Sequence, residues 1–246
     1  ISGETRSSSS TVRISEKSLE LALSIPEEIS TESIAPIKIS TQNLNGKFVP
    51  TDGQLKIYPL EVPEILFRKR RWQEPDQFIY TEKEYRRLFP YDVYKNEDEY
   101  INWAVQDAIV DVAINTGESK SYVAEALKEA KAGKYKVVFV TDEEELETLG
   151  FFTLYDPKAD ELPLPTLLSH TATQGNLEPG QTYRIDINTT VKEVWALYQL
   201  IRSGKNLDAR WIEAKKGSQQ IEIPVLDDYR GNVEWQLPTI SPNGST

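Results

Sequence analysis

Cysteine and methionine are both absent from these 246 residues, and histidine occurs once, at His170. Without thiols the chain has no disulfides and no thiolate metal sites, and cysteine usage says nothing of its redox compartment. A single imidazole excludes a zinc site built from clustered histidines. Nor is there a G-x-S-x-G element to pair with it in a serine hydrolase. Set in Ser169-His170-Thr171, this histidine reads as a solvated loop residue. The missing methionine, including at position 1, leaves two expectations: a start behind a removed leader, or modified methionines not represented in the sequence. No apolar run reaches the length of a membrane-spanning helix, and no signal-peptide pattern is present.

Positive charge is also scarce. Twenty-eight Lys and Arg face 39 Asp and Glu, giving a net charge of −11 and a pI near 4.8. That balance argues against a phosphate-backbone partner, which needs a basic footprint. The one basic cluster, Phe67 to Trp72 (FRKRRW), reads as a solvated strand end or as a set of partners for the many nearby acids. With 39% apolar and 27% charged residues, the composition suits small β-sandwiches, in which each sheet buries one face only. The length fits one large or two ordinary domains.

Alternation dominates what remains. Leu19, Leu21, Leu23 and Ile25 recur at period two until Pro26. Residues 34–40 alternate again, Asn45-Gly46 supplies a turn, and Asp52-Gly53 opens a strand over 54–58. Further strands are predicted at 108–114, 135–140 and 151–155. After a proline-rich stretch (Pro157 to Pro165), a second series is predicted at 182–187, 194–201, 209–214, 219–225 and 231–237. Asp227-Asp228 and Arg230-Gly231 mark its last turn. Short strands with turn chemistry every eight to twelve residues predict an all-β antiparallel sandwich class. Residues 122–131, rich in Ala, Glu, Lys and Leu, have helical propensity, with Val123, Leu127 and Ala130 on one face.

Residues 64–103 differ from their surroundings, holding ten of the 24 aromatics in 40 residues together with both signs of charge. They read as an insertion into a sandwich. Thr81-Glu82-Lys83-Glu84 is a capping box, so a short helix is predicted over 82–89, stopped by Pro90. The run Arg71-Trp72 to Pro75-Asp76 and Phe78, followed by Leu88 to Tyr94 and Asn96-Glu97-Asp98, resembles a segment of the alpha-2-macroglobulin-like proteins of Bacteroidetes-type bacteria. The likeness extends to Gly53-x-Leu55-x-Ile57-Tyr58, Pro63, Arg68, Phe89-Pro90, Gly133-Lys134-Tyr135 and Leu154-Tyr155. Pro179-Gly180-Gln181 resembles the start of a next such domain, and Arg230-Gly231-Asn232 its closing hairpin. In that family the stretch before Gly133 can be extended rather than helical.

The resemblance implies two tandem macroglobulin-like sandwiches: a flexible tether (1–13), a first domain (14–157) with the insertion at 64–103, a linker (158–178) and a second domain (179–246). It implies non-catalytic structural domains of an endopeptidase-trapping protein of the cell envelope or extracellular space. Their partners would be neighbouring domains of the parent protein and, through the full-length protein, proteases. The family's thioester needs a cysteine this chain lacks, so no catalytic residue, cofactor or metal is carried over. Arg68, Trp72, Phe78, Phe89 and Trp103 are the expected interdomain contacts.

Two other chemistries are open to these residue types. The Glu97-Asp98-Glu99 run beside Asp92 and Asn96 offers oxygen ligands but lacks the spacing and glycine of an EF-hand loop, so a solvated acidic loop is preferred. Trp195, Tyr198, Trp211 and Trp235 allow a cell-surface glycan-binding or adhesion module, since sugar-binding sandwiches expose aromatics. The preferred reading places them in the core, the usual role of large aromatics in small sandwiches. Trp195 and Leu197 are predicted to share one strand face and Tyr198 the other.

Overall fold

The computed structural model describes residues 19–68, 70, 73–143, 145–159, 162–172, 176–229 and 233–240. The tether, Trp72, the Arg230-Gly231-Asn232 turn and the polar tail after 240 lie outside the described residues. Among the described residues the chain is dominated by antiparallel strands with one short α-helix, which is the all-β class expected. It divides into two compact units, one formed by residues through 59, 107–130 and 135–152, the other by 60–106, 131–134 and 153–246.

The first unit is a two-sheet sandwich. One sheet has the order β1-β3-β6, from strands Leu19–Ser24, Ile37–Asn43 and Ser121–Tyr122. The other has the order β2-β8-β7-β4-β5, from Glu28–Ser30, Glu147–Tyr155, Gly133–Thr141, Asp52–Pro59 and Val110–Asn115. Ile37, Ile39 and Thr41 on β3 and Gly53, Leu55 and Ile57 on β4 are the buried alternate positions, so period two in the sequence becomes the inner faces. Tyr135 stacks on Phe152 at 5.3 Å within the larger sheet. At Gly53 an added Cβ would lie 2.7 Å from the Phe139 ring, so this position admits no side chain without a shift of the core.

The helix predicted over 122–131 does not form. β6 ends at Tyr122, and only a 3₁₀ turn, Glu125–Lys128, follows. It buries Ala124 and Leu127, three residues apart, and leaves Val123 exposed. Two anchors at 3₁₀ spacing do not offset the cost of nucleating an α-helix.

In the second unit the predicted short strands merge. Residues 182–187 and 194–201 belong to one strand, β10 (Thr182–Arg202), and residues 209–214 and most of 219–225 to another, β11 (Lys205–Pro224). The tip between them is Ser203-Gly204, both at positive φ (50° and 77°), the two-residue turn whose twist suits a tight hairpin. Between Thr189 and Glu193 the register slips, because four steps on β10 span two steps from Gly217 to Lys215 on β11. Across this bulge the buried positions change from odd (Ile185, Ile187, Thr189) to even (Val194, Ala196, Tyr198, Leu200). β11 changes in step, from Ile221 and Ile223 to Ala214. One cluster contains residues from both sides of the slip, so the two halves of a single sheet share one core.

Three short strands complete the sheet by pairing with β10. β9 (Ser169–Ala172) pairs with its first half, and β12 (Glu234–Gln236) and β13 (Thr239–Ile240) pair with its second. β9 comes from residues 158–178, read as a linker, and Leu167 and Leu168 just before it pack on the core. Thr166 from the same stretch plugs the bulge. Its amide donates to the Thr190 hydroxyl (2.8 Å), and its carbonyl accepts from the Thr190 amide (3.1 Å). His170 is thus a strand residue on β9, with its ring edge-on to Trp235 at 4.9 Å. Trp235 in turn donates its indole N–H to the Tyr183 hydroxyl (3.2 Å).

Candidate interaction surfaces

The capping box in the insertion forms as predicted. Thr81 Oγ1 accepts from the Glu84 amide, and the Glu84 carboxylate accepts from the Thr81 amide (3.0 Å), starting helix α1 (Glu82–Leu88). The Thr81 hydroxyl, donating to the same carboxylate at 2.7 Å, and then the Thr81 amide hold the Glu84 carboxyl below its ordinary pKa. No residue of α1 is buried. Its apolar side instead joins a row of rings. Phe78 packs on Tyr94 (4.5 Å), Tyr94 on Tyr85 (5.3 Å) and Tyr85 on Phe89 (5.1 Å). Burial, with Asp92 nearby, raises the pKa of the Tyr85 phenol.

Hydrogen bonds hold this row in place. Arg68 forms a bridge with Asp92, its amide donating to the Tyr91 carbonyl (2.8 Å) and its Nε to Asp92 Oδ1 (2.7 Å). Arg70 Nη2 lies within 3.1 Å of the carbonyls of Val93, Tyr94 and Lys95. Tyr94 donates its hydroxyl proton to the Tyr80 carbonyl (2.9 Å). The FRKRRW cluster therefore supplies at least two partners for the insertion, Arg68 and Arg70.

Glu97 ties the remaining pieces together. Its carboxylate accepts from Arg86 of α1 (3.0 Å) and from the Lys95 amide (2.8 Å), and its carbonyl accepts from the Trp103 indole (2.8 Å). Glu99 accepts from Asn102. Two carboxylates of the acidic run that offered calcium ligands are thus engaged in these contacts. Among the described residues no group of three or more His, Asp or Glu comes together as a metal site.

Of the five residues expected to make contacts, four are described. Arg68, Phe78, Phe89 and Trp103 all sit in this one insertion, and Trp72 lies outside the described residues. Phe78 and Phe89 each keep more than a third of their surface in water, despite their ring partners. Beside them Ile79 is 92% exposed and Ile101 62%, with Tyr80, Leu88, Tyr91 and Tyr100 also exposed. The insertion is thus a hydrogen-bonded frame presenting apolar side chains outward.

The core placement preferred for the four aromatics of the second unit holds for two of them. Tyr198 is buried, and Trp235 packs partly buried on the cluster. Trp195 and Trp211 are 40% and 55% exposed, which overturns that reading for both. Past the bulge the even positions of β10 face the core, so odd-numbered Trp195 faces out, sharing its face with Leu197 as predicted. In register, Leu197 lies opposite Trp211 and Trp195 opposite Glu213, so the two tryptophans are diagonal neighbours on one sheet face. The turn Ser203-Gly204 was the sequence signal that could have revealed the long hairpin.

No family model matches this chain, and no curated protein matches its sequence. Among solved structures, a mutant Salmonella alpha-2-macroglobulin aligns over 87% of this chain and 12% of its own, at 13% identity and TM-score 0.31. A red sea bream transglutaminase aligns over 95% and 30%, at 11% identity and the same TM-score. The chain therefore spans less than a third of either protein, and likenesses at this level decide neither fold nor activity. No helix among the described residues is long and apolar enough to cross a membrane.

Proposed function

We propose that this chain is a non-catalytic scaffold within an alpha-2-macroglobulin-like protease-trapping protein of the cell envelope or extracellular space, and that insertion 64–103 docks on neighbouring domains. The observation that carries the reading is the insertion itself, where exposed Phe78, Ile79, Phe89 and Ile101 stand on a frame fixed by Arg68, Arg70 and Glu97. A framed apolar surface suits a partner, because leaving such side chains in water forgoes roughly 1.5–3 kcal/mol each. Arg68, Trp72, Phe78, Phe89 and Trp103 are proposed as contact residues. The domain limits 14–157 and 179–246 belong to the same proposal.

Two measurements test it. Hydrogen exchange over 64–103 is expected to slow when flanking parts of the parent are added to this chain; an unchanged rate would overturn the docking role. The isolated chain is expected to leave proteases fully active on a large protein substrate. Stoichiometric protection of that substrate would mean that trapping resides within this chain. A second reading, a glycan-binding or adhesion module, is favoured by one specific observation, the outward-facing Trp195 and Trp211.

A further inference from the structure

Resting on the second of those readings, we infer that the outer face of the distal β10–β11 hairpin is a binding platform for a neutral, pyranose-based glycan, with Trp195 and Trp211 stacking on adjacent sugar rings. The sheet register places the platform. Leu197 and Trp211 are opposite, Trp195 is diagonal to Trp211, and all three point away from the core that Val194, Ala196, Tyr198 and Leu200 fill. The Trp195 ring is held, since its indole N–H donates to Glu193 Oε1 at 2.8 Å. The strands beneath are pinned by a two-residue turn at one end and by the Thr166-plugged bulge at the other.

Hydrogen-bonding side chains rim the aromatic strip at both ends. At one end Glu193 lies opposite Lys215, and Glu213 lies opposite Trp195, with Lys215 Nζ 3.6 Å from Glu213. At the other end Gln199 lies opposite Gln236 of β12. A pyranose needs both chemistries: aromatic faces for its C–H surface, and planar carboxylates or amides for its equatorial hydroxyls.

Size and charge choose the occupant. At these exposures the two indoles offer roughly 200–250 Å² of accessible aromatic surface. A stable protein interface needs about 800 Å² from each partner. The two indoles by themselves fall well short of that area and match one or two sugar rings. The rim carries two carboxylates against one ammonium, on a chain of net charge −11, which disfavours uronic or sulfated sugars.

The test is titration of the whole chain with a neutral panel (cellohexaose, xylohexaose, laminarihexaose and mannohexaose), alongside a heparin oligosaccharide and an Arg-rich peptide, read by calorimetry and tryptophan fluorescence. At least one neutral sugar is expected to bind. Trp195→Ala and Trp211→Ala are each expected to weaken it about tenfold or more, the usual effect of removing a buried aromatic anchor. Both variants should keep the parent's melting temperature, because both side chains are largely exposed. Neutral-sugar binding unaffected by either substitution would overturn the platform and leave the glycan-binding reading standing. Binding of the heparin or the peptide alone would overturn the choice of occupant. No binding to any probe would overturn platform and reading together.

Discussion

The hydroxyls of Thr41 and Thr116 lie 3.0 Å apart, both fully buried, and join the two sheets of the first unit across 75 residues of sequence. Thr41 donates its proton to the Val49 carbonyl (2.6 Å), and the Thr116 hydroxyl lies within donating distance of the Thr51 carbonyl (3.2 Å) as well as of Thr41. Thr116 Oγ1 also accepts from the Thr51 amide (2.9 Å). Thr116→Val keeps the volume and orphans that amide. Leaving one buried group unpaired costs about 1–3 kcal/mol. Urea unfolding should show a loss of that size for Thr116→Val and much less for Thr116→Ser. A Thr116→Val variant as stable as the parent would refute the role of the pair.

Gly217 sits at the register slip with φ near +108°, and a Cβ there would meet nothing within 4 Å. The penalty for Gly217→Ala is therefore one of backbone conformation alone, about 1 kcal/mol or somewhat more. Gly204, at φ 77° in the two-residue turn, should accept Asn with little loss. Thermal melting should therefore show a clear drop for Gly217→Ala and a small one for Gly204→Asn; the reverse order would contradict this account of the slip.

Burial pushes the Tyr198 phenol up to about 12, with nearby Asp208 adding to the effect and Arg210 opposing it. An unfolded tyrosine titrates near 10. Between about pH 10 and 12 the unfolded chain has lost this proton while the folded chain still holds it, so stability falls as pH rises through that window. The full loss from a two-unit shift is about 2–3 kcal/mol. Burial raises the Tyr135 phenol in the same direction. Melting curves from pH 8 to 12 should decline, and Tyr198→Phe should decline less steeply. Parallel curves would remove Tyr198 from the account.

Arg70 serves three successive carbonyls of the segment that carries the buried ring of Tyr94. Hydrogen bonds from a charged donor are worth about 1.5–3 kcal/mol. Arg70→Gln should speed amide exchange and proteolytic cutting at residues 92–97 while leaving the strand signal in far-ultraviolet dichroism unchanged. Unaltered exchange would show that the ring row alone holds the segment.

The local features of the chain were legible from sequence because neighbouring residues determine them. The Thr81–Glu84 box needs only a hydroxyl and a carboxylate three residues apart. Alternation at Ile37, Ile39, Leu55 and Ile57 reports a half-buried strand wherever that strand pairs. The frame of the insertion was only partly readable. Its aromatic density was plain, but the partners that hold it, Arg70 on three carbonyls and Glu97 under Trp103, are set by how the loop closes.

What the tertiary structure alone decided is which face of a strand meets the core. Period two defines two faces, and either one can be buried. In β10 the slip between Thr189 and Glu193 exchanges them, so Trp195 emerges into water while Tyr198 goes inside. Nothing within residues 194–201 records that exchange. It falls where Gly217 lies across the ladder and where Thr166, from a stretch that reads as a linker, hydrogen-bonds Thr190. The sequence by itself determined that this chain is all-β and where its strands alternate. Long-range pairing determined that its outer hairpin face carries two tryptophans.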